Sequence, residues 1–66
     1  MVILLNGKNR TLPDKSTAAD LIEELQLTGR RIAIEINLEI VSRSGYETHL
    51  LHDGDKVEIV HAIGGG

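Results

Sequence analysis

Cysteine, phenylalanine and tryptophan are missing from this chain of 66 residues, and proline and tyrosine occur once each. Without cysteine there is no disulfide, no thiolate cage for a metal and no thiol nucleophile. With Tyr46 as the only aromatic residue, the core has to be aliphatic, and the 41% of hydrophobic residues are almost all Ile, Leu, Val and Ala. Basic charge is also in short supply, with seven Lys and Arg against ten Asp and Glu and a net charge of −3. The basic residues are scattered, and Arg30-Arg31 is the only adjacent pair. Nucleic acid wants a concentrated basic face, so it is not an expected partner. Long apolar runs are absent too. The opening Met1 to Leu5 is too short and too uncharged for a secretion signal, and nothing approaches the roughly 20 apolar residues of a membrane span. No membrane partner is expected, and the expected location is the cytoplasm.

A domain of this size buries about 60% of the surface its unfolded chain exposes. That supports folding by packing alone but leaves little room for a substrate pocket of about 300–1,000 Å³. The pattern along the chain is nevertheless clear. Val2 to Leu5 and Lys8 to Leu12 flank Asn6-Gly7, a dipeptide that accepts the positive φ of a type I′ hairpin turn. Pro13 ends the second strand. Thr17 and Asp20 have the spacing of a capping box, and Ala18, Leu21, Ile22 and Leu25 recur at helical period. Gly29 is the expected helix stop, with Arg30 and Arg31 near the negative end of the dipole. Arg31 to Asn37 alternates, with Ile32, Ile34 and Ile36 on one side. Ile40-Val41 is a short strand after a turn. Ser42 to His52 has no clean period and reads as a tight turn or one helical turn around Tyr46. Asp53-Gly54-Asp55 turns the chain into a last strand, Lys56 to Ile63, with Val57, Ile59 and Ile63 facing the core. One helix must cover one face of a mixed sheet of four to five strands, an α+β architecture with the apolar first and last strands side by side. The domain expected is 1–63, followed by a flexible tail, 64–66.

Candidate chemistry is sparse. His49 and His52 are three apart beside Asp53, but no third and fourth metal ligand with recognisable spacing accompanies them, so no metal is expected. His61 lies near the end of the last strand with no nucleophile apparent beside it, which leaves it no base to be. The acidic side of the helix is a solvated face. Val60 and Ala62 point outward, and with Leu4 they are candidates for an apolar docking patch, against the plainer reading of scattered surface residues. Gly64, Gly65 and Gly66 lack Cβ atoms and can lie extended in a channel too narrow for side chains, reaching roughly 10 Å. An inert frayed end is the alternative reading of the same residues.

The stretches Leu5-Asn6-Gly7, Thr17 to Leu25, Ile34-Glu35-Ile36-Asn37, Glu39-Ile40-Val41, Asp53-Gly54-Asp55 and Val60-His61-Ala62-Ile63-Gly64-Gly65-Gly66 occur here in an order and spacing that resemble the sulfur carriers of thiamin biosynthesis, a ubiquitin-like β-grasp family. Ser42 and Tyr46 depart from it, where the family has proline and tryptophan. The resemblance implies a carrier and not an enzyme. It implies that an E1-like adenylyltransferase uses ATP to activate the Gly66 carboxylate while Gly64 and Gly65 thread into that partner. A sulfur donor such as a cysteine desulfurase would then supply the sulfur of a thiocarboxylate, and thiazole synthase would consume it. The chain itself would bind no cofactor. A carrier serving molybdopterin synthase, a ubiquitin-like modifier of lysines and a plain binding module remain as other readings.

Overall fold

Strand β1 (Val2–Leu5) and strand β2 (Lys8–Thr11) form an antiparallel hairpin closed by the Leu5↔Lys8 pair. Asn6 at φ 48° and Gly7 at φ 82° both take the left-handed region, as the sequence predicts. The structure is a computed structural model and describes residues 1–61. The expected inward placement of Ile63 and outward placement of Ala62, and the division of the chain at residue 63, lie outside those residues.

Helix α1 (Ala18–Glu24) starts with the predicted capping box: Asp20 N–H donates to Thr17 Oγ1 at 3.2 Å and Thr17 N–H donates to Asp20 Oδ2 at 2.9 Å. The next two free N–H groups, of Ala18 and Ala19, donate to the carbonyls of His49 and Tyr46 at 2.9 Å each. The segment that shows no period in the sequence is therefore organised by the helix start. It contains a 3-10 turn, Arg43–Gly45, with half-buried Tyr46 packed on the core.

The helix ends earlier than Gly29. Leu25 is its C-cap, and Gln26 takes φ 60°. Leu27 N–H reaches Ile22 O at 2.9 Å and Gln26 N–H reaches Glu23 O at 3.0 Å, which is a Schellman motif with glutamine in the glycine place. Gly29 serves the next turn at φ 80°. Arg30 and Arg31 thus lie beyond the last helical turn, which holds no basic residue. A left-handed non-glycine residue costs about 1–2 kcal/mol, part of which glycine returns as backbone entropy. Gln26→Gly should therefore stabilise the fold by about 0.5–1 kcal/mol, read as a Tm rise of about 2–8 °C. An unchanged or lower Tm would mean that the Gln26 side chain contributes more than its backbone costs.

Strands β3 (Ile32–Ile36), β4 (Glu39–Val41) and β5 (Lys56–His61) complete a five-stranded sheet in the order β2-β1-β5-β3-β4. β5 runs parallel to β1 and antiparallel to β3. The first and last strands are neighbours, as their apolarity implies. Ile3, Leu21, Ile34, Leu51 and Val57 are the largest fully buried side chains and lie where α1 packs on one sheet face. Among the described residues no helix is long and apolar enough to cross a membrane.

Candidate functional site

β5 is the element that carries the chain toward its last residues, and three devices hold it. On one side β3 pairs with it from Ile36↔Val57 to Ile32↔His61. On the other side β1 pairs with it only at Leu4↔Lys56 and Leu5↔Val57. The third device is a pair of asparagine side chains. Asn37 Oδ1 accepts from Lys56 N–H at 3.0 Å, and its Nδ2 donates to Asp55 Oδ1 at 3.0 Å. Asn6 Oδ1 accepts from Ile59 N–H at 2.9 Å, and its Nδ2 donates to Ile59 O at 3.2 Å. Both asparagines sit first in a two-residue turn with positive φ. Sequence reasoning recognises such residues as turn formers but does not reveal that their side chains reach strands distant in the chain.

The outward face of the sheet is a mosaic. Val60 is outward as expected, 57% exposed, and pairs with exposed Ala33. The next outward row sets Glu58 opposite Glu35, which pairs in turn with Ile40, 77% exposed. Leu4 is half-buried beside Lys56. Val60 lies four residues further along β5, about 13 Å at the strand rise, with Glu58 between them. Leu4 and Val60 therefore share a face without sharing a patch, and the apolar neighbours of Val60 lie toward β3 and β4. Ala62, Gly64, Gly65 and Gly66 lie outside the described residues.

Two local rules are broken on this side of the molecule. Like charges directly opposite each other in a sheet are destabilising, as Glu35 and Glu58 are here. Leu38, 80% exposed, holds φ 70° in the β3–β4 turn. Leu38→Gly should raise stability by about 0.5–1 kcal/mol, since it relieves the left-handed strain and gives up almost no burial. A chemical denaturation midpoint that fails to rise would show that the leucine packs against something in solution.

Among the described residues no other part has the makings of a reactive centre. A groove of about 470 Å³ between α1 and the 3-10 turn is floored by Ile22, Leu27, Ile32 and Tyr46 and rimmed by Glu23, Arg30, Arg43 and Glu47. It offers hydroxyls but no histidine or cysteine to activate one. Asp53 and Asp55, which flank Gly54 after His52, are already engaged. Asp53 Oδ1 accepts from Val2 N–H at 2.7 Å and Asp55 Oδ2 accepts from His52 N–H at 2.9 Å. Among the described residues no group of three or more His, Cys, Asp or Glu could hold a metal ion.

Comparison with known proteins gives one consistent picture. The ThiS family model matches residues 3–66. A thiazole synthase of Paramagnetospirillum magneticum is 44% identical over 66 residues, covering all of this chain and 20% of that protein, so the chain spans about a fifth of that relative's length. The sulfur carrier protein ThiS of Bacillus subtilis is 38% identical, with 98% of this chain and 100% of that protein covered. The crystal structure of a thiamine biosynthesis protein, ThiS, from Geobacter metallireducens superposes with a TM-score of 0.87 at 28% identity over the full length of both chains. The ubiquitin-like β-grasp architecture expected from the sequence is the one found.

Proposed function

The chain belongs to the ThiS family of sulfur carrier proteins, and from that premise we propose how it carries sulfur for thiazole formation in thiamin biosynthesis. The reactive group is the carboxylate of Gly66. A free carboxylate is a poor electrophile, so an E1-like adenylyltransferase joins it to AMP from ATP and releases pyrophosphate. A sulfur nucleophile from a donor such as a cysteine desulfurase then attacks the acyl carbon. The carbon–oxygen bond to AMP breaks and AMP leaves with the electron pair. Sulfide gives the thiocarboxylate directly, whereas the terminal sulfur of a donor persulfide gives an acyl disulfide. A thiol of a partner cleaves its S–S bond, forming a disulfide with the donor sulfur and releasing the thiocarboxylate. Thiazole synthase takes up that sulfur as it builds the ring. ATP and the catalytic groups belong to the partners, and this chain is their substrate.

The observation that supports this reading best is the support of β5. The central strand is paired on both sides and clamped by two asparagines. It runs toward a terminus of three glycines, while the body offers no reactive constellation among its described residues. Gly64 and Gly65 then serve as a stem without side chains for a narrow channel. Docking uses the outward face around Val60, with Ala62 at the root of the tail. Leu4 lies at the far margin of that face.

Mass spectrometry of the protein from its native host tests the proposal. One oxygen should be exchanged for sulfur at Gly66, and the new group should react with a thiol-directed alkylating agent. The alkylation is needed because oxidation of Met1 adds nearly the same mass. A terminus that never acquires sulfur, or conjugates of Gly66 to lysines of larger proteins, would overturn the reading.

A further inference from the structure

We propose that Asn6 is a positioning residue for activation of the carboxyl terminus, an inference that rests on the function just proposed. β1 stops pairing with β5 at Val57, yet β5 continues to His61. Along that last stretch β3 still covers one edge. On the other edge Asn6 takes over. Its own N–H donates to Val57 O at 2.8 Å, and its side-chain amide then bonds both the N–H and the C=O of Ile59. The amide stands in for the peptide group that a longer β1 would have supplied. Without it, Glu58 to His61 would be held on one edge only.

The consequence grows with distance. Gly66 is seven residues beyond Ile59, so the terminal carboxyl group can stand at most about 23–25 Å from the clamp. Wander of the strand root at Ile59 widens the region that the terminal carboxyl group can sample within that radius. A strand root fixed on both edges narrows the directions in which the terminus leaves the domain. The ordering is then done before the partner is met and is not charged against docking.

Asn37 provides a matched control. It has the same residue type, the same place in its turn, a similar φ (52° against 48°), and a side-chain bond to the β5 backbone. It grips Lys56 at the start of β5, away from the end where the chain leaves. Asn6→Gly and Asn37→Gly each keep a residue suited to positive φ and delete one clamp. Both should lower Tm by several degrees. Only Asn6→Gly should change the chemistry: in ATP–pyrophosphate exchange with the cognate adenylyltransferase, the KM for the carrier should rise about fivefold to tenfold while kcat stays within about twofold. Asn6→Asp keeps the acceptor for Ile59 N–H and loses the donor to Ile59 O, so its KM should fall between the two. Amide exchange at Ile59 should quicken in Asn6→Gly and not in Asn37→Gly. Equal KM values for the two glycine variants, in folded protein, would overturn the positioning role and leave the carrier function standing. If the wild-type chain supports no exchange at all, the carrier reading falls and takes this inference with it.

Discussion

Residues fused permanently after Gly66 should abolish adenylation while leaving the domain folded. The two halves of this expectation have separate causes. The described part of the fold draws its stability from α1 packed on the sheet and from the β5 pairings, all of which involve residues up to His61. Additions beyond Gly66 touch none of these, so stability should stay within about ±0.5 kcal/mol, as for most surface changes. The proposed chemistry, in contrast, needs a carboxyl group at that position. A peptide bond in its place has no carboxylate oxygen to attack the α-phosphate of ATP, and no amount of docking restores one. Exchange of pyrophosphate into ATP should therefore fall to background at every carrier concentration. A fused carrier that remained fully competent would remove the basis of the proposed function.

Gly65→Ala probes the same end more gently. It leaves the carboxylate in place and adds one Cβ where, on the proposed function, the stem passes through the partner. Stability should again be unaffected, and adenylation should slow markedly. Equal rates would mean that the channel tolerates side chains, so that the glycines serve something other than close passage.

Much of the fold was legible because its signals are local. Asn6-Gly7 calls for a I′ turn wherever it stands between two extended runs, and Thr17 with Asp20 forms its capping box within a single turn. The alternation of Ile32, Ile34 and Ile36 needs only one buried face to explain it. The misplaced helix end has an equally physical cause. Gly29 is the residue that most readily turns left-handed, and it does so. Gln26, which has no such preference, is forced there first because Leu27 must return to the core. The segment around Tyr46 was silent because its order comes from bonds to Ala18 and Ala19, nearly thirty residues earlier in the chain. The candidate site was read unevenly. Val60 faces outward as its strand position predicts, whereas the separation of Leu4 from it depends on a parallel register that no local pattern encodes. The asparagine clamps were hidden for the same reason: Asn6 reaches Ile59 across 53 positions of sequence. The family, finally, was recognisable from motifs whose order carried more weight than any one of them.

Leu21→Ala should remove a large share of the domain's stability, so that on warming the fold is lost and carrier activity with it. Leu21 is 0% exposed and belongs to the same buried cluster as Ile3, Ile34, Leu51 and Val57. Replacing a buried leucine by alanine costs about 2–5 kcal/mol, more where the surroundings cannot close in. Here they are poorly able to. One side of the site is a sheet fixed by its own ladder, and the helix is pinned at its start by the bonds of Ala18 and Ala19. A domain of this length has only about 3–10 kcal/mol in total, with no disulfide or metal ligation by cysteine to make up a deficit. The loss should appear as a collapse of the far-ultraviolet helix signal near physiological temperature, and pyrophosphate exchange should fall in proportion to the unfolded fraction. Cooling, or a stabilising partner such as Gln26→Gly, should bring back both signals together. Recovery of the fold without recovery of exchange would assign Leu21 a role in the chemistry that its burial does not predict.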